Sequence, residues 1–420
     1  MGSSSATSAR HALWLLLTLL LASCGHRASA DLELRSVLEG YRHFAETRYR
    51  QSVDGIVALQ ASLQGLEASP GPEALEAARE AWRRARIPYA QSEVLRFGNW
   101  FVDEADARIN AWPVDEGVLD YVGGTYQASV SNPLARFNLI ANQQLLVGGR
   151  ALSLELIQRR KLLALQELSD VEANVTTGYH ALEFWLWGQD LNGHGPGAGQ
   201  RPWTDFSQDE NLCTDGATPA PLIHCLRRHQ ALAAAAESLR LELLALTAMW
   251  GEQSGSYGDR LVRGDARDGL RRMLFGMVAM ASEEMAAERI QVALWSHAPE
   301  EEQDCFSDQT HESLFQNGVG VAAVYQGESA QMSLQRLAQR DYPQQASALQ
   351  LTFAAAGSQL QQLRERGESG QRFDQLIAPD NAEGHELLQA TASSLMDLAE
   401  ALEKLADAMG LGPLNPQAAN

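Results

Sequence analysis

Apolar residues recur at helical spacing through most of this chain, and few stretches alternate as strands do. Leu32, Val37, Tyr41 and Phe44 fall on one helix face, and Ile56, Leu59, Leu63 and Leu66 continue it. Ser69-Pro70-Gly71-Pro72 breaks the pattern. A second helix starts there with Pro72 in its first turn and Leu75, Ala78 and Trp82 on one face. Pro88 predicts a kink before Tyr89 and Val94. Residues 98–124 read as a long loop, broken by Trp112-Pro113 and Gly123-Gly124. Helices are expected over 133–146, 153–168 and 170–187, then over 226–250, 266–297, 334–365 and 381–411. Residues 299–320 read as an acidic loop. The expected class is all-α. Residues 188–221, rich in Gly and Pro, are the natural linker between an N-terminal bundle (31–187) and a C-terminal one (222–411), with a tail at 412–420. The two helical halves are of similar length, which suggests duplication.

The N-terminus sets the address. Arg10 and His11 precede a ten-residue apolar run, Ala12 to Leu21. Spanning a bilayer core as a helix takes roughly 20 residues, so this run reads as a signal-peptide core. It ends in Leu21-Ala22-Ser23-Cys24-Gly25, the pattern of a bacterial lipobox. Residues 1–23 are then a removed leader, Cys24 the lipidated first residue and 24–30 a tether. An ordinary secretory cleavage near Ala28-Ser29-Ala30 is the alternative. Gly25 in place of an Asp favours the outer membrane, facing the periplasm. In such an oxidising compartment, Cys213 and Cys225, which flank a short Pro-containing stretch, are the expected disulfide. Cys305 is left over.

Charge excludes one large class. Asp and Glu outnumber Lys and Arg by 53 to 33, a net charge of −20. A nucleic-acid binder needs a basic stripe to displace counterions, and this chain offers the reverse.

Four clusters carry chemistry. In Gly178-Tyr179-His180-Ala181-Leu182-Glu183, His180 and Glu183 are three apart and share a helix face, a spacing that can hold one metal. Gly178 is costly in a helix and makes sense where another segment packs close. The competing reading is a His–Glu hydrogen bond in a satisfied core. Asp308 and His311 repeat the spacing with the acid first, and Asp304 is nearby. Glu93 and Asp115 are acids flanked by aromatic residues. Glu284 lies near Glu288 and Arg289, where an ion-paired helix face is the plain alternative. Oxygen and nitrogen donors without a thiolate set suit iron or another hard or borderline ion, divalent or ferric, with zinc the second choice. No nucleophile elbow or Ser-His-Asp pattern is present.

Gly178-Tyr179-His180-Ala181-Leu182-Glu183 resembles the Gly-x-His-x-x-Glu motif of imelysins. Val94-Leu95-Arg96-Phe97-Gly98, Ala111-Trp112-Pro113-Val114-Asp115-Glu116-Gly117, Trp187-Gly188-Gln189-Asp190-Leu191-Asn192-Gly193 and Cys305-Phe306-Ser307-Asp308 resemble the iron-regulated protein A-like branch of that family. The resemblance covers nearly the whole mature chain. It implies two pseudo-symmetric helical bundles with the functional site at their interface, in an envelope lipoprotein tied to iron acquisition. His180 and Glu183 carry over by motif as metal residues. Glu93, Asp115, Glu284, Asp308 and His311 are added from the residues alone. The ligand would be the ion or a chelate of it, and an outer-membrane transporter the partner. The family name implies a metallopeptidase as the alternative, and an envelope scaffold without metal is a third reading.

Overall fold

The computed structural model describes the backbone of residues 5–124, 126, 130–327, 329 and 333–414, and side chains from residue 31 onward. The side chain of Cys24, the proposed lipid attachment point, therefore lies outside the described residues. Helices hold 66 % of the residues and strands 3 %, which makes the class all-α.

The order is α1 (Ser5–Ala68), α2 (Pro72–Ser92), α3 (Trp100–Ile109), α4 (Glu116–Leu119), β1 (Gln144–Val147), β2 (Arg150–Ser153), α5 (Arg159–Leu165) and α6 (Gly178–Trp187). Then come β3 (Thr214–Asp215), β4 (Thr218–Pro219), α7 (Leu222–Trp250), α8 (Tyr257–Arg263) and α9 (Ala266–Ala279). A π-helical segment, Met280–Gln291, continues α9 into α10 (Val292–Ser296). The chain ends with α11 (Thr310–Gln326), α12 (Leu334–Asp341), α13 (Pro343–Glu368), α14 (Phe373–Leu376) and α15 (Ala382–Ala408).

Two groups of helices pack side by side. α1 lies against α2 and α7, and α6 against α7 and α2. α15 lies against α13, α9 and the π segment, with α11 on α13. α11 also crosses onto α2, where a Cβ on Gly320 would sit 2.1 Å from the Gln91 carbonyl oxygen. α7 therefore sits with the first group, although it follows the 188–221 segment. Linear order and spatial grouping differ because the apolar face of α7, including Leu232, Leu239 and Leu243, is buried in the core it shares with α1.

Several local expectations need correction. Residues 98–124 hold α3, whose Phe101, Val102, Ala105 and Ile109 are buried at helical spacing between breakers. The helices expected over 133–146 and 153–168 give way to the β1–β2 hairpin and the short α5. Gly148-Gly149, at φ +55° and +79°, is a two-residue hairpin turn that residues with a Cβ adopt poorly. The 170–187 helix starts only at Gly178, since Asp170 (φ +57°) and Gly178 (φ +86°) are left-handed. The 299–320 loop becomes helix from Thr310, and Pro343 restarts the 334–365 helix as α13. Cys213 and Cys225 are joined as a disulfide. Among the described residues, no helix is long and apolar enough to cross a membrane.

Candidate metal centre

The site begins at the N-terminus of α6. A Cβ on Gly178 would lie 2.5 Å from the carbonyl oxygen of Ile109, so glycine is what lets α6 start against the end of α3. α2 fixes the other side: Trp82 Nε1 donates to the Tyr179 carbonyl at 3.0 Å, and the Tyr179 hydroxyl donates to the Ala85 carbonyl at 3.1 Å. His180 and Glu183 are thereby buried, at 1 % and 0 % exposure. Their helical spacing places His180 Nδ1 2.9 Å from Glu183 Oε2.

The loop before α11 closes the site. Ser307 donates to Glu183 Oε1 from its backbone N–H (2.9 Å) and its hydroxyl (2.7 Å). Asp304 Oδ1 lies 3.7 Å from His180 Nδ1 and accepts from Arg86 Nε at 3.1 Å. His180, Glu183 and Asp304 can each turn one ligand atom to a common point, with those atoms within 4.8 Å of one another. His180 Nε2 and Asp304 Oδ2 are buried without a hydrogen-bond partner. Burial pushes the Glu183 carboxyl up. Burial acts the same way on Asp304, but Arg86, with help from His180, outweighs it and holds that carboxyl below its ordinary range.

A cleft of about 660 Å³ leads to this cluster. His180 is part of its lining, and Asp115, Glu116, Asp190, Glu300 and Glu302 make its walls acidic. Trp112 and Phe306 add aromatic surface, and Cys305, a free thiol, is also on the wall.

The other residues singled out from the sequence fall in different places. Glu93 is one guanidinium away: Arg86 Nη1 is 3.6 Å from its Oε1, while Arg289 Nη2 donates to its Oε2 at 2.6 Å. Arg289 also donates from Nη2 to Glu284 Oε1 at 2.7 Å. The i→i+5 repeat of the π segment brings Glu284 and Arg289, five apart, onto one face. Glu93 and Glu284 are thus ion-paired with arginine, and in Glu93 the arginines overcome burial and hold the carboxyl below its ordinary range. Asp115 stays on the cleft wall, accepting from the Tyr126 hydroxyl and from Asn132. His311 Nε2 faces Arg372 Nη1 at 2.9 Å, and burial with that cation pushes the imidazole down to about 3. Asp308 belongs to a second cluster with Glu302 and Asp374.

Sequence reasoning passed over Asp304, Ser307 and Arg86 as site residues. Asp304 and Ser307 border or lie in the Cys305-Phe306-Ser307-Asp308 motif, which was a usable signal. Arg86 looked like one more cation on a helix. Glu302 and Asp374 are 72 residues apart (374 − 302) and had no shared signal.

An all-α protein of two packed helix groups, with a buried His–carboxylate cluster at the base of an acidic cleft, is the class this geometry defines. The sequence profile of the imelysin family matches residues 45–402, and the chain belongs to that family. Over 61 residues it is 38 % identical to iron-regulated protein A of Synechococcus elongatus, a match covering 14 % of this chain and 17 % of that protein. Its fold is similar to the crystal structure of a candidate iron-regulated protein A precursor from Parabacteroides distasonis, with a TM-score of 0.65 at 15 % identity over 90 % of this chain and 95 % of that one. It is also similar to an imelysin-like protein from Psychrobacter arcticum, with a TM-score of 0.54 at 14 % identity over 90 % and 93 % of the two chains.

Proposed function

We propose that this protein is an iron-binding lipoprotein of the bacterial envelope that serves iron acquisition, holding the ion at His180, Glu183 and Asp304. The observation that carries this reading is the cluster itself: three buried donors converge, and a ring nitrogen and a carboxylate oxygen among them have no partner. A buried polar atom left unpaired costs about 1–3 kcal/mol, which an ion or its bound water would recover. One nitrogen and two oxygen donors suit iron better than a thiolate-seeking metal. The family and the match to iron-regulated protein A support the iron assignment. The site draws on α2, α6 and the loop before α11, which supports a site at the interface of the two helix groups. Cys24 carries the lipid that ties the chain to the outer membrane, and an outer-membrane transporter is the partner that delivers or receives the ion or its chelate.

Hydrolysis is the weaker reading. A hydrolytic metal site needs a general base beside the bound water. In this reading Glu183 is itself a ligand, so it is not also that base.

Iron titration of the chelator-stripped protein tests the proposal. Wild type should take up one ion per chain. His180→Ala and Glu183→Ala should each bind at least about tenfold more weakly, with helix content by circular dichroism unchanged. Equal iron stoichiometry and affinity in all three proteins would defeat the assignment.

A further inference from the structure

The second cluster has a different composition. Glu302 and Asp308 lie in the loop before α11, and Asp374 is in α14. One carboxylate oxygen from each lies within 4.8 Å of the other two. Oxygens bound to one calcium ion at 2.3–2.6 Å lie up to about 5 Å apart in pairs, so this spacing brings the three within small side-chain adjustments of a common ion.

These acids also have free lone pairs. Asp374 is 1 % exposed; its carboxyl lies close to the backbone N–H groups of Gln375 and of Asp374 itself, but neither oxygen has a side-chain or well-aligned backbone donor. Oε1 of Glu302 and Oδ1 of Asp308 are likewise buried without a partner, in residues 2 % and 3 % exposed. Arg372, whose charge Asp308 feels, turns Nη1 to His311 at 2.9 Å. Buried carboxyls are paired, hydrogen-bonded, bound to a cation or kept neutral by a proton. Here burial and repulsion from nearby carboxylates push Asp308 up to about 7 and Asp374 to about 6, so a cation would take the place of the protons. The convergence of Asp374 with the partnerless Glu302 Oε1 and Asp308 Oδ1, with no cationic side chain among the described residues bonded to any of the three, favours a bound cation.

We propose that Glu302, Asp308 and Asp374 form an oxygen-only site for a hard divalent cation such as Ca²⁺ or Mn²⁺, separate from the His180 cluster. The donor set contains no nitrogen or sulfur, which selects hard ions. Glu302 also lines the acidic cleft, together with Glu116, Asp190 and Glu300, which gives a cation a route in. An ion here ties the loop that carries Asp304 and Ser307 to α14. It is thus a structural clamp beside the iron centre, and its existence does not depend on that centre binding iron.

Calcium titration by calorimetry on the chelator-treated full chain tests this, with thermal unfolding run in parallel. Wild type and His180→Ala should each bind one Ca²⁺ and gain thermal stability from it. Asp374→Asn and Glu302→Gln should bind at least tenfold more weakly and gain nothing. In chelator, Asp374→Asn should unfold at or above the wild-type midpoint, since it removes like charge from a buried cluster, so lost binding would not reflect lost folding. The proposal is overturned if wild type binds neither Ca²⁺ nor Mn²⁺, or if Asp374→Asn and Glu302→Gln bind as wild type does. It is equally overturned if His180→Ala abolishes binding and Asp374→Asn does not.

Discussion

Two buried charge clusters in this protein look alike in composition and differ in what is left over. Around Asp120 every carboxylate oxygen is answered. Asp120 Oδ2 accepts from Arg228 Nε (2.7 Å) and Arg201 Nη1 (2.8 Å), and its Oδ1 from the Tyr121 N–H (2.8 Å) and Arg228 Nη2 (3.1 Å). Asp205 Oδ2 accepts from the Tyr121 hydroxyl at 2.6 Å, and its Oδ1 from Thr214 Oγ1 (2.8 Å) and the Gly216 N–H (2.9 Å). In the loop before α11 and the adjoining α14, by contrast, one guanidinium, Arg86, bonds Asp304, and Glu302 Oε1, Asp304 Oδ2, Asp308 Oδ1 and the Asp374 carboxyl have no side-chain donor among the described residues. Burial of charge alone does not mark a site. The Asp120 cluster cross-links the α4 end, the 201–215 segment and α7 with every carboxylate oxygen paired, and what it leaves over is donors, Arg201 Nε and Nη2; the loop cluster leaves over acceptors, which a cation would fill.

The largest expected effect separates the two by stability. Asp120→Ala leaves Arg201 and Arg228 buried without their shared anion, and breaking a buried pair in this way costs about 3–5 kcal/mol. Denaturant unfolding should show that loss, while iron affinity of the folded protein stays at the wild-type value. A loss of iron binding without a loss of stability would erase the distinction.

Asp106 is intermediate and gives a pH-dependent test. Burial pushes its carboxyl from 3.8 to about 6, against Arg96 3.4 Å away and the Tyr89 hydroxyl at 2.6 Å. The folded state therefore holds this proton to higher pH than the unfolded state does. Its contribution to stability is greatest below about pH 3.8 and is lost as pH rises towards 6, by up to roughly 3 kcal/mol. Asp106→Asn removes that loss. Its stability relative to wild type should rise between pH 4 and pH 7 in parallel denaturation series, and a flat difference would mean Arg96 fully compensates the charge.

The smallest expected effect is at Ser307. Ser307→Ala removes the 2.7 Å hydroxyl bond to Glu183 and keeps the backbone one. Stability should fall by about 1–2 kcal/mol. Iron affinity should fall by about tenfold, as when a group orienting a ligand is lost. An unchanged iron isotherm would show that Ser307 does not position Glu183.

What the sequence revealed follows the same division. Periodicity located the long helices because their apolar faces are continuous, as in α2 and α15. The three-residue spacing of His180 and Glu183 is a local property of one helix, and Gly178 announced the close approach of Ile109. Asp304 joins them from a separate loop through contacts with Arg86 and His180, which no local pattern encodes. Glu93 and Glu284 looked like ligands because each is an acid near aromatic or acidic neighbours. Their cations, Arg86 and Arg289, come from elsewhere on α2 and from the π segment, and an α-helical reading does not put Glu284 beside Arg289. The helices expected over 133–146, 153–168 and from 170 fail in part because apolar spacing encodes neither the pairing of β1 with β2 nor the left-handed backbone at Asp170.

We propose that His180, Glu183 and Asp304 hold iron. Crystals of the iron-loaded protein, measured on both sides of the iron absorption edge, test it most directly. One strong iron-specific anomalous peak should lie within ligation distance of a His180 ring nitrogen and of carboxylate oxygens of Glu183 and Asp304. Iron-loaded crystals with no peak there, or with their peak on other residues, would contradict it.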